Sequence, residues 1–321
     1  MTSILAAAED DLALAVWAKA ARRGTGVAAA IMAILKGMAS LGRRLGYFAF
    51  GSVAVGTLFG LGFNVNLRGG VRSGDEQRRR KLGPAELFNL KNISGTLTYH
   101  DRPSPTIVFI HGRSAGWSEA LPMAQRFYTE GYNVVLWGPG GRTIHYGDEA
   151  IQDALAIVER VREHPAVDPA RVFVFGLSLG AAIALGAAAE DNQQQIAAVI
   201  ADSPYCDLQS AALHYVTAFG YIPKLVAWPT AFVMFRVAEA VHHIQFKRCN
   251  PIDWVRRIRC PVLLIHGKAD WRVPPEHSAR LFHAITSRKD FWLVEDAVHT
   301  QAFIRHAHGY VQRVNEFVTI V

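Results

Sequence analysis

Cysteine is scarce in this sequence. The three residues Cys206, Cys249 and Cys260 are too few and too irregularly spaced for a disulfide framework or a zinc site, so packed, reduced thiols are expected. Net charge is missing from most of the chain. Residues 1–81 hold 12 Lys/Arg against 5 Asp/Glu, which accounts for the whole formal charge of +7, whereas residues 82–321 hold 22 of each. A nucleic-acid binder would carry its basic stripe on the folded part, so that partner class is set aside. The amino terminus also lacks the basic start of a cleaved signal peptide, since its first twenty residues include Glu9, Asp10 and Asp11. No internal repeat is visible.

Charge is absent once more from Leu45 to Val65, "LGYFAFGSVAVGTLFGLGFNV", over 21 residues. As a helix rising about 1.5 Å per residue, this run matches the roughly 30 Å hydrocarbon thickness of a bilayer. Arg43 and Arg44 precede it, and Arg68, Arg72 and "RRRK" at 78–81 follow. The glycines within it, including the Gly56/Gly60 pair, disfavour a soluble helix but suit close packing in lipid. Residues 1–81 are therefore expected to be a basic membrane-anchoring segment, with 45–65 as its transmembrane candidate and membrane lipid as its partner. The basic flanks on both sides leave the orientation open.

What is present from residue 82 onward is a regular alternation. Apolar runs "TIVFI" (106–110), "NVVLW" (133–137), "RVFVF" (171–175), "IAAVIA" (196–201), "PVLLI" (261–265) and "DFWLV" (290–294) read as strands covered on both faces. Helical periods are expected at about 118–130, 148–163, 179–189, 275–285 and 307–319. Repeated β-α-β units imply an α/β class domain over residues 82–321 with a mostly parallel sheet flanked by helices. An additional antiparallel edge strand is expected at "ISGTLTY", 93–99.

In such sheets ligands gather outside the carboxyl ends of the strands. There the chain presents "HGRSAG", "GLSLG", "HGKAD" and "EDAVHT" after four of the runs. Ser178, at the centre of Gly-x-Ser-x-Gly between a strand and a helix, is the candidate nucleophile. A tight turn lifts its hydroxyl clear of the sheet, and Gly176 and Gly180 supply the small neighbours that such a turn tolerates. The helix beginning after Ser178 brings N–H groups and a positive dipole end to a developing oxyanion.

A serine nucleophile needs a base, and thirteen histidines are on offer. His299 follows a strand near the carboxyl terminus and completes the order Ser, Asp, His. His111 and His266 each sit in a His-Gly turn suited to structural hydrogen bonding, and His277 is expected at a helix start. Asp270, 29 residues before His299, is the candidate acid that orients the imidazole, with Asp202 in "AVIADSP" as its rival. Backbone N–H groups of Leu179 and of Arg113 in "HGRS" are the expected oxyanion donors.

Taken together, "HGRSAG", "FVFGLSLGAAIAL", "ADSPYCDL", "NPIDWVRRIRCPVLLIHGKADWRVPPEHS" and "AVHT" resemble the α/β-hydrolase-fold serine hydrolases over roughly two-thirds of the chain. Within that superfamily they are similar to the membrane-anchored lipase-like and acyl-thioesterase-like branch, and also to prolyl-oligopeptidase-type catalytic domains. The resemblance implies Ser178 as nucleophile, Asp270 as acid, His299 as base, and Arg113 and Leu179 as oxyanion donors, with no metal or organic cofactor. It departs from relatives at "WGPGGRT" after the second run and at "DAVH" before His299.

The stretch from Tyr205 to Asn250 interrupts the α/β rhythm with bulky apolar side chains, among them Trp228, Phe232 and Phe235, and is expected to form a helical lid. The expectation is an ester or thioester hydrolase acting on a small-molecule ester or acyl substrate of lipophilic character. Its alternatives are a serine peptidase of the prolyl-oligopeptidase type and a non-catalytic binding protein on the same fold.

Overall fold

The structure is a computed structural model, and it describes residues 82–320 apart from 91–92, 113–115, 140–146, 221–223 and 243–248. The anchor candidate 45–65 and Arg113 lie outside the described residues. Among the described residues, no helix is long and apolar enough to cross a membrane.

Eight strands form one sheet: β1 (Ala85–Leu90), β2 (Ile93–Thr98), β3 (Ser104–Ile110), β4 (Asn133–Pro139), β5 (Val167–Leu177), β6 (Ala198–Asp202), β7 (Val262–Gly267) and β8 (Lys289–Val294). Their spatial order is β1-β2-β4-β3-β5-β6-β7-β8. The six strands from β4 to β8 run parallel, and β1 and β2 add an antiparallel pair at one side. The segment at 93–99 is thus antiparallel but not the edge. β1 covers it, and β1 escaped the hydrophobic pattern because "AELFNL" is largely solvent-facing and buries only Phe88 fully.

The inner parallel strands are apolar where both of their faces are covered, whereas "DFWLV" lies in the edge strand β8, of which only Val294 is fully buried because no further strand packs beside it. In β3, Ile107 and Phe109 point into one core, Val108 and Ile110 into the other. In β5, Phe173 and Phe175 alternate in the same way with Val172 and Val174. On the first face lie α1 (Leu121–Thr129) and a long C-terminal helix, Ala307–Thr319, which brings Tyr310, Val314 and Phe317 into contact with Phe175 and its neighbours. On the second face lie α2 (Asp148–Arg162) and α3 (Leu179–Glu190).

The second of these helices, α3, is buried all round, as an alanine-rich helix without an amphipathic face must be. Small side chains let it lie close to the sheet, and at Gly186 an added Cβ would stand 2.4 Å from Ile151 Cδ1 of α2.

Between β6 and β7 the insertion forms α4 (Leu208–Gly220) and α5 (Lys224–His242), which pack on one another. Tyr205 and Phe235 enter the core, whereas Trp228 and Phe232 stack in solvent at 65% and 55% exposure. The side chains of Tyr215, Phe219, Tyr221 and Phe246 lie outside those described. The remaining helices are α6 (Glu276–Ala284), α7 (Ala302–Arg305) and α8, the C-terminal helix Ala307–Thr319.

Candidate active site

β5 ends at Leu177 and α3 begins at Leu179, so Ser178 alone makes the turn, with φ of 53° and ψ of −113°. A non-glycine residue with positive φ is held there only by its surroundings. Two glycines permit the close approach. A Cβ on Gly176 would lie 2.2 Å from the carbonyl oxygen of Gly180, and one on Gly180 would lie 2.1 Å from that of Ile110 in β3. The Ser178 backbone N–H donates to the carbonyl of Asp202 at the end of β6, 2.8 Å away, which fixes the turn to the neighbouring strand.

The residues proposed from the sequence meet at this turn. Ser178 Oγ lies 2.8 Å from His299 Nε2, and His299 Nδ1 lies 2.6 Å from Asp270 Oδ2. The carboxylate can only accept, so Nδ1 carries the ring proton and Nε2 is left with a lone pair facing the serine hydroxyl. Asp270 is 4% exposed and His299 is mostly covered.

Burial alone would raise the Asp270 carboxyl. Hydrogen bonds from His266 and His299, with the backbone N–H groups of Arg272 and Val273, instead hold it well below the usual carboxylate range. Leu179 is the first residue of α3, so its N–H has no acceptor within the helix.

Asp202 takes another position. Its carboxyl receives Tyr310 Oη at 2.7 Å and Ser203 Oγ at 2.8 Å, and complete burial pushes it up from the ordinary range despite those donors. It supports the His299 loop indirectly, because Ser203 Oγ also accepts the N–H of Thr300 at 3.2 Å. Ser203 and Thr300 both have positive φ, at 55° and 56°, so three such residues border one site.

Two features were not evident from the sequence. Glu119, in the short 3-10 turn Gly116–Glu119, accepts the N–H of Gly112 at 3.1 Å and is hydrogen-bonded to the Thr300 side chain. It joins the loop after β3 to the histidine loop, and its burial raises its carboxyl above the ordinary value. No local motif marks it.

The second feature is a cluster of Cys206, Asp207 and His277, from positions up to 71 residues apart. Cys206 Sγ lies 3.0 Å from His277 Nδ1. The donor types would suit a zinc ion, but Asp207 Oδ2 already takes Ser210 Oγ at 2.6 Å and the Arg280 guanidinium at 3.1 Å. Burial pushes the Cys206 thiol up to about 12 and His277 down to about 4, so a neutral thiol and a neutral imidazole are hydrogen-bonded beside the Asp207 carboxylate, which hydrogen bonds from Ser210 hold below its ordinary range. His277 is the second residue of α6, as its helix-start assignment implied.

An eight-stranded, mostly parallel sheet that presents a serine on a strained strand-to-helix turn defines a serine hydrolase of the α/β-hydrolase fold. The chain belongs to the prolyl oligopeptidase family, which matches residues 142–317, more than half of its length. YfhR of Escherichia coli K12 is 27% identical over 223 residues, covering 68% of this chain and 71% of YfhR. Among solved structures, the Pyrococcus furiosus esterase Pf2001 is similar with a TM-score of 0.62 at 22% identity, over 75% of this chain and 92% of the esterase. The Pyrococcus horikoshii acylaminoacyl peptidase is similar with a TM-score of 0.54 at 20% identity, over 75% of this chain and 43% of the peptidase.

Proposed function

We propose that this serine hydrolase cleaves a carboxylic ester or thioester of a lipophilic acyl group through a covalent acyl-enzyme. The observation that carries the proposal is the pair of contacts on His299, 2.8 Å to Ser178 Oγ and 2.6 Å to Asp270 Oδ2. Ser178 Oγ attacks the carbonyl carbon as its proton passes to His299 Nε2. Asp270 keeps the imidazole in the required tautomer and stabilises the cation without taking its proton.

The oxyanion is met by the N–H groups of Leu179 and Arg113. Collapse breaks the acyl bond and returns the proton from His299 to the departing alcohol or thiol. Water then attacks the acyl-serine by the same route, and no step passes through a metal or organic cofactor.

Support for an ester comes from the similarity to the Pf2001 esterase along nearly all of that protein. Support for an apolar acyl group comes from the insertion, whose α4 residue His214 donates to the Trp271 carbonyl at 2.9 Å, next to Asp270, and whose α5 carries the exposed Trp228 and Phe232. On this account the insertion acts as a lid. A peptidase is the second reading, favoured by the family match and by the similarity to an acylaminoacyl peptidase.

Comparing p-nitrophenyl esters of increasing chain length with aminoacyl amides separates the two. The proposal expects kcat/KM to rise with acyl length and to exceed that for amides, and preferential amide turnover overturns it. Residues 45–65 are proposed to attach the protein to a membrane, so deletion of 1–81 should move it from the membrane pellet to the soluble fraction. A truncated protein that still pellets refutes the attachment.

A further inference from the structure

His266 lies near the end of β7 and is completely buried. Its tautomer follows from its partners. Nε2 is 2.8 Å from the carbonyl oxygen of Val273, which can only accept, so Nε2 bears the proton. Nδ1 therefore accepts, and it takes the hydroxyl of Ser278 in α6 at 2.6 Å.

The same Nε2 is 3.2 Å from Asp270 Oδ2, the oxygen that receives His299 Nδ1. Oδ1 takes the N–H groups of Arg272 and Val273 at 2.9 and 3.0 Å, and Oδ2 accepts from His299 Nδ1 with His266 Nε2 also close against it. A buried carboxylate held at both oxygens in this way cannot rotate without breaking hydrogen bonds.

We propose that His266 is a positioning residue for the hydrolytic reaction: it braces the carboxylate of Asp270 so that Oδ2 faces His299, while the Val273 carbonyl sets the tautomer of His266 and the Ser278 hydroxyl holds its ring in place. The inference rests on the assignment of Ser178, His299 and Asp270 under Proposed function. A histidine that merely fills the core would matter for stability alone. A positioning histidine acts on the chemical step and leaves substrate binding unchanged.

The test measures kcat and KM on a short p-nitrophenyl ester for the wild type, His266→Leu, His266→Gln and Ser278→Ala. Fluorophosphonate labelling and near-UV circular dichroism accompany each. His266→Leu is expected to lower kcat by up to about 10²-fold with KM unchanged, the scale of a small misplacement of a reacting group. His266→Gln, whose amide N–H can reach the same oxygen, should recover most of kcat, and Ser278→Ala should lower kcat several-fold.

A folded His266→Leu enzyme with wild-type kcat, or a folded glutamine variant no better than a folded leucine one, overturns the proposal. Should His266→Leu fail to fold, wild-type kcat in Ser278→Ala overturns it. Wild-type protein that is folded yet takes up no probe overturns the underlying hydrolase assignment, a failure distinct from the others.

Discussion

The hydroxyl of Ser178 and the Nε2 of His299 meet at 2.8 Å although 121 residues of chain separate them. Two strand ends create the encounter, β5 delivering the serine and β8 the loop of the histidine. Backbone strain at Ser178, Ser203 and Thr300, of the order of 1–3 kcal/mol each, is offset by the packed sheet beneath them.

The acid can be told from its rival by two isosteric changes. Asp270→Asn removes the carboxylate that selects the tautomer of His299, and turnover should fall on the order of 10⁴-fold. Asp202→Asn touches only Tyr310 and Ser203, so it should lose a small fraction of that. Equal losses measured on one ester substrate would contradict the assignment.

The lowered Asp270 carboxyl also makes a prediction about stability. Its folded pKa lies below the unfolded value of about 3.9, so its contribution is present above that pH and is lost as pH falls toward the folded pKa. The difference in urea midpoint between wild type and Asp270→Asn should therefore shrink as pH is lowered below about 4. A difference that grows in acid reverses the sign and refutes the argument.

Gly176→Ala places a Cβ 2.2 Å from a backbone oxygen that no side-chain rotation can move. Thermal unfolding should show destabilisation of at least about 1–3 kcal/mol, the usual range for overpacking. Gly131→Ala is a useful contrast, since space is open around Gly131 and only its φ of +93° is strained.

Glu119→Ala leaves the N–H of Gly112 without its acceptor and cuts the link to Thr300. A loss of about 1–3 kcal/mol is expected from the orphaned donor, together with lower turnover. Glu119→Gln keeps an acceptor oxygen and should retain most of both. Calorimetry and initial rates on the same preparations check the pair.

Much of this arrangement was legible in the chain. Uninterrupted β-branched and aromatic runs announced the inner strands buried on both faces, though "DFWLV" became the half-exposed edge strand β8, and Gly176 and Gly180 announced the turn, because only glycine satisfies contacts of about 2 Å. The edge strand β1 was not legible, since a strand with one buried side chain in six leaves no hydrophobic signature.

Choosing between Asp270 and Asp202 by chain order agreed with the contacts, but order carries no distances. Glu119 and the Cys206–His277 contact depend on packing between loops remote in sequence. His266 was recognised as a hydrogen-bonding residue, yet its approach to Asp270 depends on the turn Gly267–Asp270 that folds one back on the other.

The central claim is that the Ser178 hydroxyl is activated by His299, and a fluorophosphonate probe on the purified full chain tests it most directly. The account predicts stoichiometric labelling of the wild type at Ser178, none in a folded Ser178→Ala variant, and sharply slowed labelling in His299→Ala. A folded wild type that stays unlabelled, or a probe adduct on another residue that survives Ser178→Ala, would contradict it.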